Sequence, residues 1–338
     1  MKRRAVIEHA IGEDRAAVYE GRRLVELYAH RSWKTTPRTG DSYQGRVTSI
    51  DASVAGAWVD LGTDATPALM PFAAQRGMPK LTEGQGVDVT VIRSQIGDKG
   101  ATVRFVAEHD GAKPGRTASL SLKERLTATY PDIIFDEASV NAVDEAVEKH
   151  VALPGGGSIT MEQTQALLAI DVDKGSAPSA ASAANAAAKT IASQLRLRGL
   201  GGLVVIDFPN LRQSKQRKTL EKTLDAGFET DPAITKFMPL SRFGVIEMTR
   251  SKPDLSLDEI LNDGGPEPTV ETQALGALRR LTREAKAAPG AKLTLRVPQA
   301  VLGWLEDAPL DWKTVLTEQI GARYVLQSGN AIDVVADR

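Results

Sequence analysis

The stretch LLAIDVDKG, residues 167–175, is an apolar run that ends in two aspartates one residue apart. A short run of this kind reads as a buried strand. Residues i and i+2 of a strand share a face, so Asp171 and Asp173 project together. Further on, GGLVVIDFPN (201–210) repeats the design with Asp207 at its tip. Between the two lies the Ala-rich segment SAASAANAAAKTIASQLRLRGLGG, predicted as a helix that begins near Pro178 and stops at the glycines of 199–202. A strand–helix–strand unit implies parallel neighbours whose C-terminal ends share one edge. That edge is where open α/β sheets hold their ligands, and it would gather Asp171, Asp173 and Asp207. Converging carboxylates without histidine or cysteine suit a hard cation, magnesium first and manganese second. Such an ion activates water and stabilises a phosphoryl transition state. Aspartates after strands also cap helices and solvate loops, and the pattern alone leaves both readings open.

Outward from this unit, a helix is expected over 213–228 and a strand in RFGVIEMTR (242–250). The segment RQSKQRKTLEK puts Lys215, Lys218 and Lys222 on one helical face, opposite Leu220, Leu224 and Phe228, while Arg242, Arg250 and Lys252 flank the following strand. Cations so placed can track a phosphodiester backbone, or simply solvate a helix. Upstream, residues 4–30 alternate as a β-meander. Five short strands between Asp41 and about Val106 then suggest a small closed barrel of OB type. Trp58, with Arg46, Arg93, Lys99 and Arg104 nearby, would give that barrel an aromatic and cationic surface for a single strand. A lone tryptophan serves equally as barrel core. Helical periodicity runs through Val140, Val143, Ala146 and Val147, SLDEILNDGGPEPT (256–269) looks like a linker, and the last seventy residues alternate helix and strand.

Composition narrows the classes. The 338 residues, 42% of them hydrophobic, are enough for two or three domains with real cores. A formal net charge of -1 advertises no global polyanion affinity, so any nucleic-acid footprint must be local. With no cysteine, disulfides, thiolate zinc and a cysteine nucleophile are excluded, and a reducing, cytoplasmic setting is expected. MKRRAVIEHA lacks the apolar region of a signal peptide. No run has the length of a spanning helix, so no membrane partner is expected. The four histidines, His9, His30, His109 and His150, are scattered and suggest no pair for metal-free cleavage through a ribose hydroxyl.

SITMEQTQALLAIDVDKG, ASQLRLRGLGGLVVIDF and SRFGVIEMTR together resemble the catalytic region of the bacterial ribonuclease E/G family, and the resemblance runs more weakly through the barrel and the C-terminal residues. It implies that Asp171 and Asp207 are the magnesium ligands. Asp173 stands where the family usually has an orienting asparagine, Trp58 at an RNA-stacking aromatic, and Lys99 at a basic residue of the RNA channel. It further implies internal cleavage of single-stranded, AU-rich RNA leaving a 5′-phosphate downstream. Departures from the pattern include Ala68 at a second barrel aromatic. The stretch from about Asp110 to Ser139 is short for a 5′-monophosphate sensor. LNDGGPEPT stands in place of a cysteine zinc link.

The expectation is therefore an α/β nuclease core (DNase I-like, βαβ with acidic strand ends) carrying an inserted OB-type β-barrel and a small C-terminal α+β domain. Its segments are an N-terminal β segment (1–38), the barrel (39–108), a connector (109–150), the catalytic core (151–262) and the C-terminal domain (263–338). The expected activity is magnesium-dependent endoribonuclease action in RNA processing or decay, indifferent to the 5′ end. Asp171, Asp173 and Asp207 are the catalytic candidates, with Asp171 and Asp207 on the metal. Trp58, Lys99, Arg46, Arg104, Lys215, Lys218 and Arg242 are the RNA-binding candidates. A homodimer, not zinc-linked, fits. The rivals are a weak or inactive RNA-binding protein on the same fold, and a metal phosphoesterase acting on small nucleotides.

Overall fold

The computed structural model describes residues 2–63, 66–74, 79–111 and 113–337. The chain opens with β1 (Arg3–Ala10), β2 (Glu13–Glu20) and β3 (Arg23–His30), the expected meander. β4 (Ser42–Asp51), β5 (Gly56–Asp60), β6 (Ala68–Pro71), β7 (Gly86–Arg93) and β8 (Thr102–His109) follow. Then come β9 (Gly115–Ala118), α1 (Leu122–Thr129), β10 (Ile134–Glu137) and the one-turn α2 (Ala142–Glu145). The central run is β11 (His150–Ala152), β12 (Ser158–Gln163), β13 (Leu168–Asp173), α3 (Ala180–Arg198), β14 (Gly202–Asp207), α4 (Ser214–Phe228), β15 (Thr235–Phe237) and β16 (Val245–Arg250). The chain continues with α5 (Leu257–Asn262), α6 (Val270–Ala287), β17 (Lys292–Val297), α7 (Gln299–Glu306), α8 (Trp312–Ile320), β18 (Tyr324–Ser328) and β19 (Asp333–Asp337). These strands form several mixed sheets in a mixed α/β protein.

The central sheet has the order β11-β12-β13-β14-β16-β15, with β13 and β14 parallel and the other pairings antiparallel. Alternation sends Ile159, Met161, Leu168, Ile170, Val204, Ile206, Ile246 and Met248 to one face, where α3 and α4 cover them. α3 starts at Ser179, whose side chain accepts from the Ser182 amide, and ends at Gly199 in the left-handed conformation. Its buried alanines let it approach α4 closely. A Cβ on Gly227 would lie 2.6 Å from that of Ala192, so only glycine fits the crossing. On the opposite face Asp171, Asp207, Glu247, Thr249 and Lys236 are exposed, and the sheet is open there.

Strands β4 to β8 close on themselves in the cycle β5-β6-β8-β7-β4-β5, with β6 and β8 parallel. Tyr43, Val47, Val59, Met70, Val87, Val89 and Val103 fill the interior. This barrel is tied to the end of the central sheet. Arg38 pairs with Asp254, with Nη2 2.8 Å from Oδ2, and the Ser94 amide donates to the Pro253 carbonyl at 2.8 Å. Burial pushes the Asp254 pKa up, but the Arg38 guanidinium and the Ser94 hydroxyl outweigh it and hold the carboxyl below its ordinary value.

Several expectations need correction. The periodic stretch around Val140–Val147 supplies only α2, because Glu137 ends β10 and His150 begins β11. The strand read in LLAIDVDKG is the second arm of a hairpin whose first arm is SITMEQ. The Thr164 hydroxyl accepts from the Ala166 and Leu167 amides and turns the chain. The supposed linker contains α5, opened by a capping box between Ser256 and Glu259 and buried through Leu257 and Leu261 against Leu27 and Ala29. The N-terminal sheet is bound to the C-terminal residues through Glu13. This fully buried carboxylate receives Arg15 Nε, Arg31 Nε and Arg279 Nη2, each at 2.8 Å.

Candidate active site

Cross-strand register builds the site. Asp171 of β13 is the direct partner of Asp207 of β14. The same row runs His150–Thr160–Asp171–Asp207–Val245 across five strands. Both aspartates alternate with buried neighbours (Ile170 and Val172, Ile206 and Phe208), so both carboxylates project from the open face. Among the described residues no hydrogen bond or ion pair takes up either one. Like charges directly opposite each other on neighbouring strands are destabilising. An uncompensated pair of this kind is a cost that a bound cation would offset.

Asp173 does not complete a three-acid cluster. It pairs in register with Ser158, two residues beyond the Asp171–Asp207 row, and its Oδ1 accepts from the Gly175 amide at 3.0 Å. Among the described residues no group of three carboxylates or histidines is placed to hold a metal ion. The donor set is thus two oxygen ligands. Magnesium accepts such a set, since it is commonly bound through one or two carboxylates while keeping several waters.

The cations divide into two kinds. Arg250, proposed from sequence as a backbone contact, is buried and grips Asp231 with two hydrogen bonds of 2.8 and 2.9 Å. Lys252 pairs with Glu259 at 2.6 Å. These two hold structure together. So do Arg196, bound to Glu20 and Glu26, and Arg198, bound to Gln194 and the Glu148 carbonyl. Lys215, Lys218 and Arg242 are exposed. Arg242 sits in the turn before β16, two residues before the Gly244 that lies against the Asp207 strand end, whereas Lys215 and Lys218 lie on the helix that covers the sheet's other face. Lys222 lines a separate cavity of about 490 Å³ with Arg23, Lys189 and Arg196.

In the barrel, Trp58 is half-buried on the outside, between Ala57 and Val59, which point inward. Its Nε1 donates to Asp51 Oδ2 at 3.3 Å. The Ser53 hydroxyl and the Trp58 indole hold the Asp51 carboxyl below its ordinary pKa. Arg46, on the adjoining strand, is exposed and donates to the Gly84 carbonyl. Arg104 on β8 and Lys99 in the turn before it are exposed as well. Ala68 is buried inside the barrel, where an outward aromatic has no place.

Sequence reading passed over three residues on the open face. His150 shares the aspartate row, its Nδ1 3.4 Å from Thr160 Oγ1. Glu247 is exposed on β16, two residues back from that row, opposite Val205. Phe243 is 92% exposed in the turn that meets the end of β14. The alternation of RFGVIEMTR carried the signal for Glu247, whereas His150 needs the register of a three-residue edge strand to be seen.

Comparison with known proteins bears on this same region. Residues 103–253, from β8 to just past β16, match the model of the Ribonuclease E/G family. Ribonuclease E of Escherichia coli (strain K12) is 32% identical over 199 residues, covering 54% of this chain and 19% of that protein. Ribonuclease E of Synechocystis sp. is 35% identical over 159 residues, 45% of this chain and 23% of that protein. Ribonuclease G of Escherichia coli (strain K12) is 29% identical over 198 residues, 54% of this chain and 39% of that protein. The chain thus spans less than two fifths of the length of these relatives. Both acidic strand ends and all three motif segments fall inside the matched residues, and over that stretch, a little under half of its length, the chain is similar to the ribonuclease E/G family.

Proposed function

We propose that this protein is a magnesium-dependent endoribonuclease that cuts single-stranded, AU-rich RNA and leaves a 5′-phosphate on the downstream product. The observation that carries the reading is the direct register of Asp171 with Asp207, two exposed and unpartnered carboxylates on parallel strands. The names of the relatives, ribonuclease E and ribonuclease G, support the substrate class. In this reading Asp171 and Asp207 hold the ion, magnesium or manganese. When bound, it supplies charge stabilisation at phosphorus and an activated water. Asp173 shapes the loop after β13 rather than ligating. Arg242 neutralises phosphate near the cut, while Trp58, Arg46, Arg104 and Lys99 hold a more distant part of the strand on the barrel. Lys215 and Lys218 contribute long-range attraction from the helical side.

The same reading takes the closed barrel, with its parallel β6–β8 contact, as OB-type, and the central sheet with α3 and α4 as the DNase I-like core. It divides the chain at 38, 108, 150 and 262. It assigns the protein to RNA processing or decay in the cytoplasm, with cleavage independent of the 5′ end and any homodimer formed without zinc. No helix among the described residues is long and apolar enough to cross a membrane.

The test is cleavage of a labelled, unstructured AU-rich RNA by wild type and Asp171→Asn, in magnesium and in EDTA, with product ends mapped. Internal cuts bearing 5′-phosphates, abolished by EDTA and lowered in the variant by more than about 100-fold, are expected, since even outer-shell partners of a metal ligand cost 10–100-fold. The second reading, a weak or inactive RNA-binding protein, is favoured by the absence of a third acid beside the pair among the described residues. Salt-sensitive binding without turnover by the wild type would select it.

A further inference from the structure

The turn between β15 and β16 presents an aromatic ring to solvent on a fixed backbone. The Ser241 hydroxyl accepts from the Phe243 amide at 3.2 Å and from the Val245 amide at 3.1 Å. The Ser241 amide donates to the Val245 carbonyl at 2.9 Å, and the Phe208 amide donates to the Gly244 carbonyl at 3.0 Å. Gly244 has φ +88°, and a Cβ there would lie 2.9 Å from the Phe208 carbonyl oxygen and 3.8 Å from Asp207 Oδ1. The turn is thus seated against the end of β14, directly beside the carboxylate of Asp207. With its backbone committed in this way, Phe243 stands 92% exposed, although burial of its ring is what the hydrophobic effect would reward.

The ring does not stand alone. Met238, opposite Glu247 on the same open face, is 64% exposed, and Leu203 is 43% exposed two residues before Val205 in β14. The cations Lys236 and Arg242 are exposed among them. An apolar surface interleaved with cations and continuous with the carboxylate pair fits a single-stranded nucleic acid better than a protein partner. The bases present π-faces and the backbone presents phosphates. A planar ring on a rigid turn gives stacking that tolerates any base.

We infer that Phe243 is the stacking platform for the unpaired nucleobase next to the scissile phosphodiester, with Arg242 on the adjoining phosphate. This inference rests on the nuclease reading for its chemistry, but its binding arm can be tested without turnover. Phe243 is a positioning residue. It holds the nucleotide that fixes the phosphate over Asp171 and Asp207, and it touches no reacting atom.

The experiment compares wild type, Phe243→Ala and Phe243→Trp on short single-stranded RNAs. In these, 2-aminopurine is placed in turn at each position around the mapped cut, with a parallel set carrying an abasic nucleotide there. Stacking on the ring quenches 2-aminopurine at one flanking position. Phe243→Ala is expected to abolish that quenching and to raise KM roughly 5- to 150-fold with little change in kcat. Phe243→Trp restores both. On the abasic RNA, wild type and Phe243→Ala become equal, because the ring has nothing left to hold. Equal KM for wild type and Phe243→Ala on base-bearing RNA, or a loss that persists on abasic RNA, overturns the platform. So does self-association in sedimentation that Phe243→Ala abolishes, since the ring would then belong to a contact between copies. If wild type cuts nothing, yet 2-aminopurine scanned along the bound RNA shows Phe243-dependent quenching, the ring's stacking on a base stands and the nuclease reading falls.

Discussion

If Asp171 and Asp207 hold the ion as proposed, replacing Asp207 by asparagine should trade metal binding for stability, two effects of opposite sign. Neighbouring strands lie about 4.8 Å apart. Two carboxylates directly opposite at roughly 5 Å in water repel by about 0.8 kcal/mol, reduced to roughly half at physiological ionic strength. That falls within the range measured for like-charged cross-strand pairs, about 0.2–1 kcal/mol. For 338 residues unfolding with about 2.1 cal/mol/K per residue, the gain amounts to about 1 °C in Tm at low salt. Magnesium acts the other way. An ion present at 100 times its Kd adds about 2.7 kcal/mol to wild type, close to 4 °C, and little to the variant. Thermal unfolding followed by circular dichroism, first in EDTA at low salt and then in excess magnesium, should show the two proteins exchanging order. Asp173→Asn, which keeps the Asp171–Asp207 row intact, should follow wild type in its response to magnesium. An Asp207→Asn variant that melts below wild type in EDTA, or that gains as much from magnesium as wild type does, would refute the pair as an ion site.

Two further outcomes concern the frame that carries the site. Glu13→Gln takes the charge from a buried carboxylate shared by Arg15, Arg31 and Arg279 and should cost about 3–5 kcal/mol in urea unfolding; a loss under 1 kcal/mol would show the hub to be ornamental. His30 is held down to about 3, by burial first and then by Arg38 and Arg125, so the folded chain refuses a proton that the unfolded chain takes up near pH 6.5. Its contribution is complete above that pH and is lost as the pH falls from about 6.5 towards 3. Between pH 6 and 5 the stability should drop by roughly 1 kcal/mol per pH unit, ahead of the carboxylate titrations, and His30→Gln should flatten that segment. An unchanged slope would exclude His30 as its source.

The strand–helix–strand unit was legible because its signals are local. Apolar runs, a proline near the helix start and glycines at its end each act within a few residues. Register is not local, yet it was decisive here. Nothing in LLAIDVDKG or LVVIDF says that position 171 faces 207 rather than 205, and a slip by one residue would have buried one acid. Asp173 looked equivalent to Asp171 by alternation but is drawn into its own loop by the Gly175 amide, a short-range competition that sequence spacing does not weigh. Arg250 was read as a cation for a phosphate backbone, and only its distant partner Asp231 turns it into a buried strut; Arg196 and Arg198 are buried in the same way by Glu20, Glu26 and the Glu148 carbonyl. α5 was missed although Ser256 and Glu259 spell a capping box, because the glycines and prolines just beyond it suggested a linker. Phe243 read as strand filler, since exposure is a property of the finished turn.

The uncovered face of the central sheet also sets how a substrate can arrive. A tunnel or a closed pocket selects for termini, because a polymer must be threaded through the first or fitted into the second from one end. An open sheet face flanked by β11 on one side and β15 on the other would admit a chain sideways at any point along its length. Access is then limited by local stiffness of the polymer, not by its ends. On the proposed function, this topology of approach would favour internal, unstructured segments before any side chain has read a base.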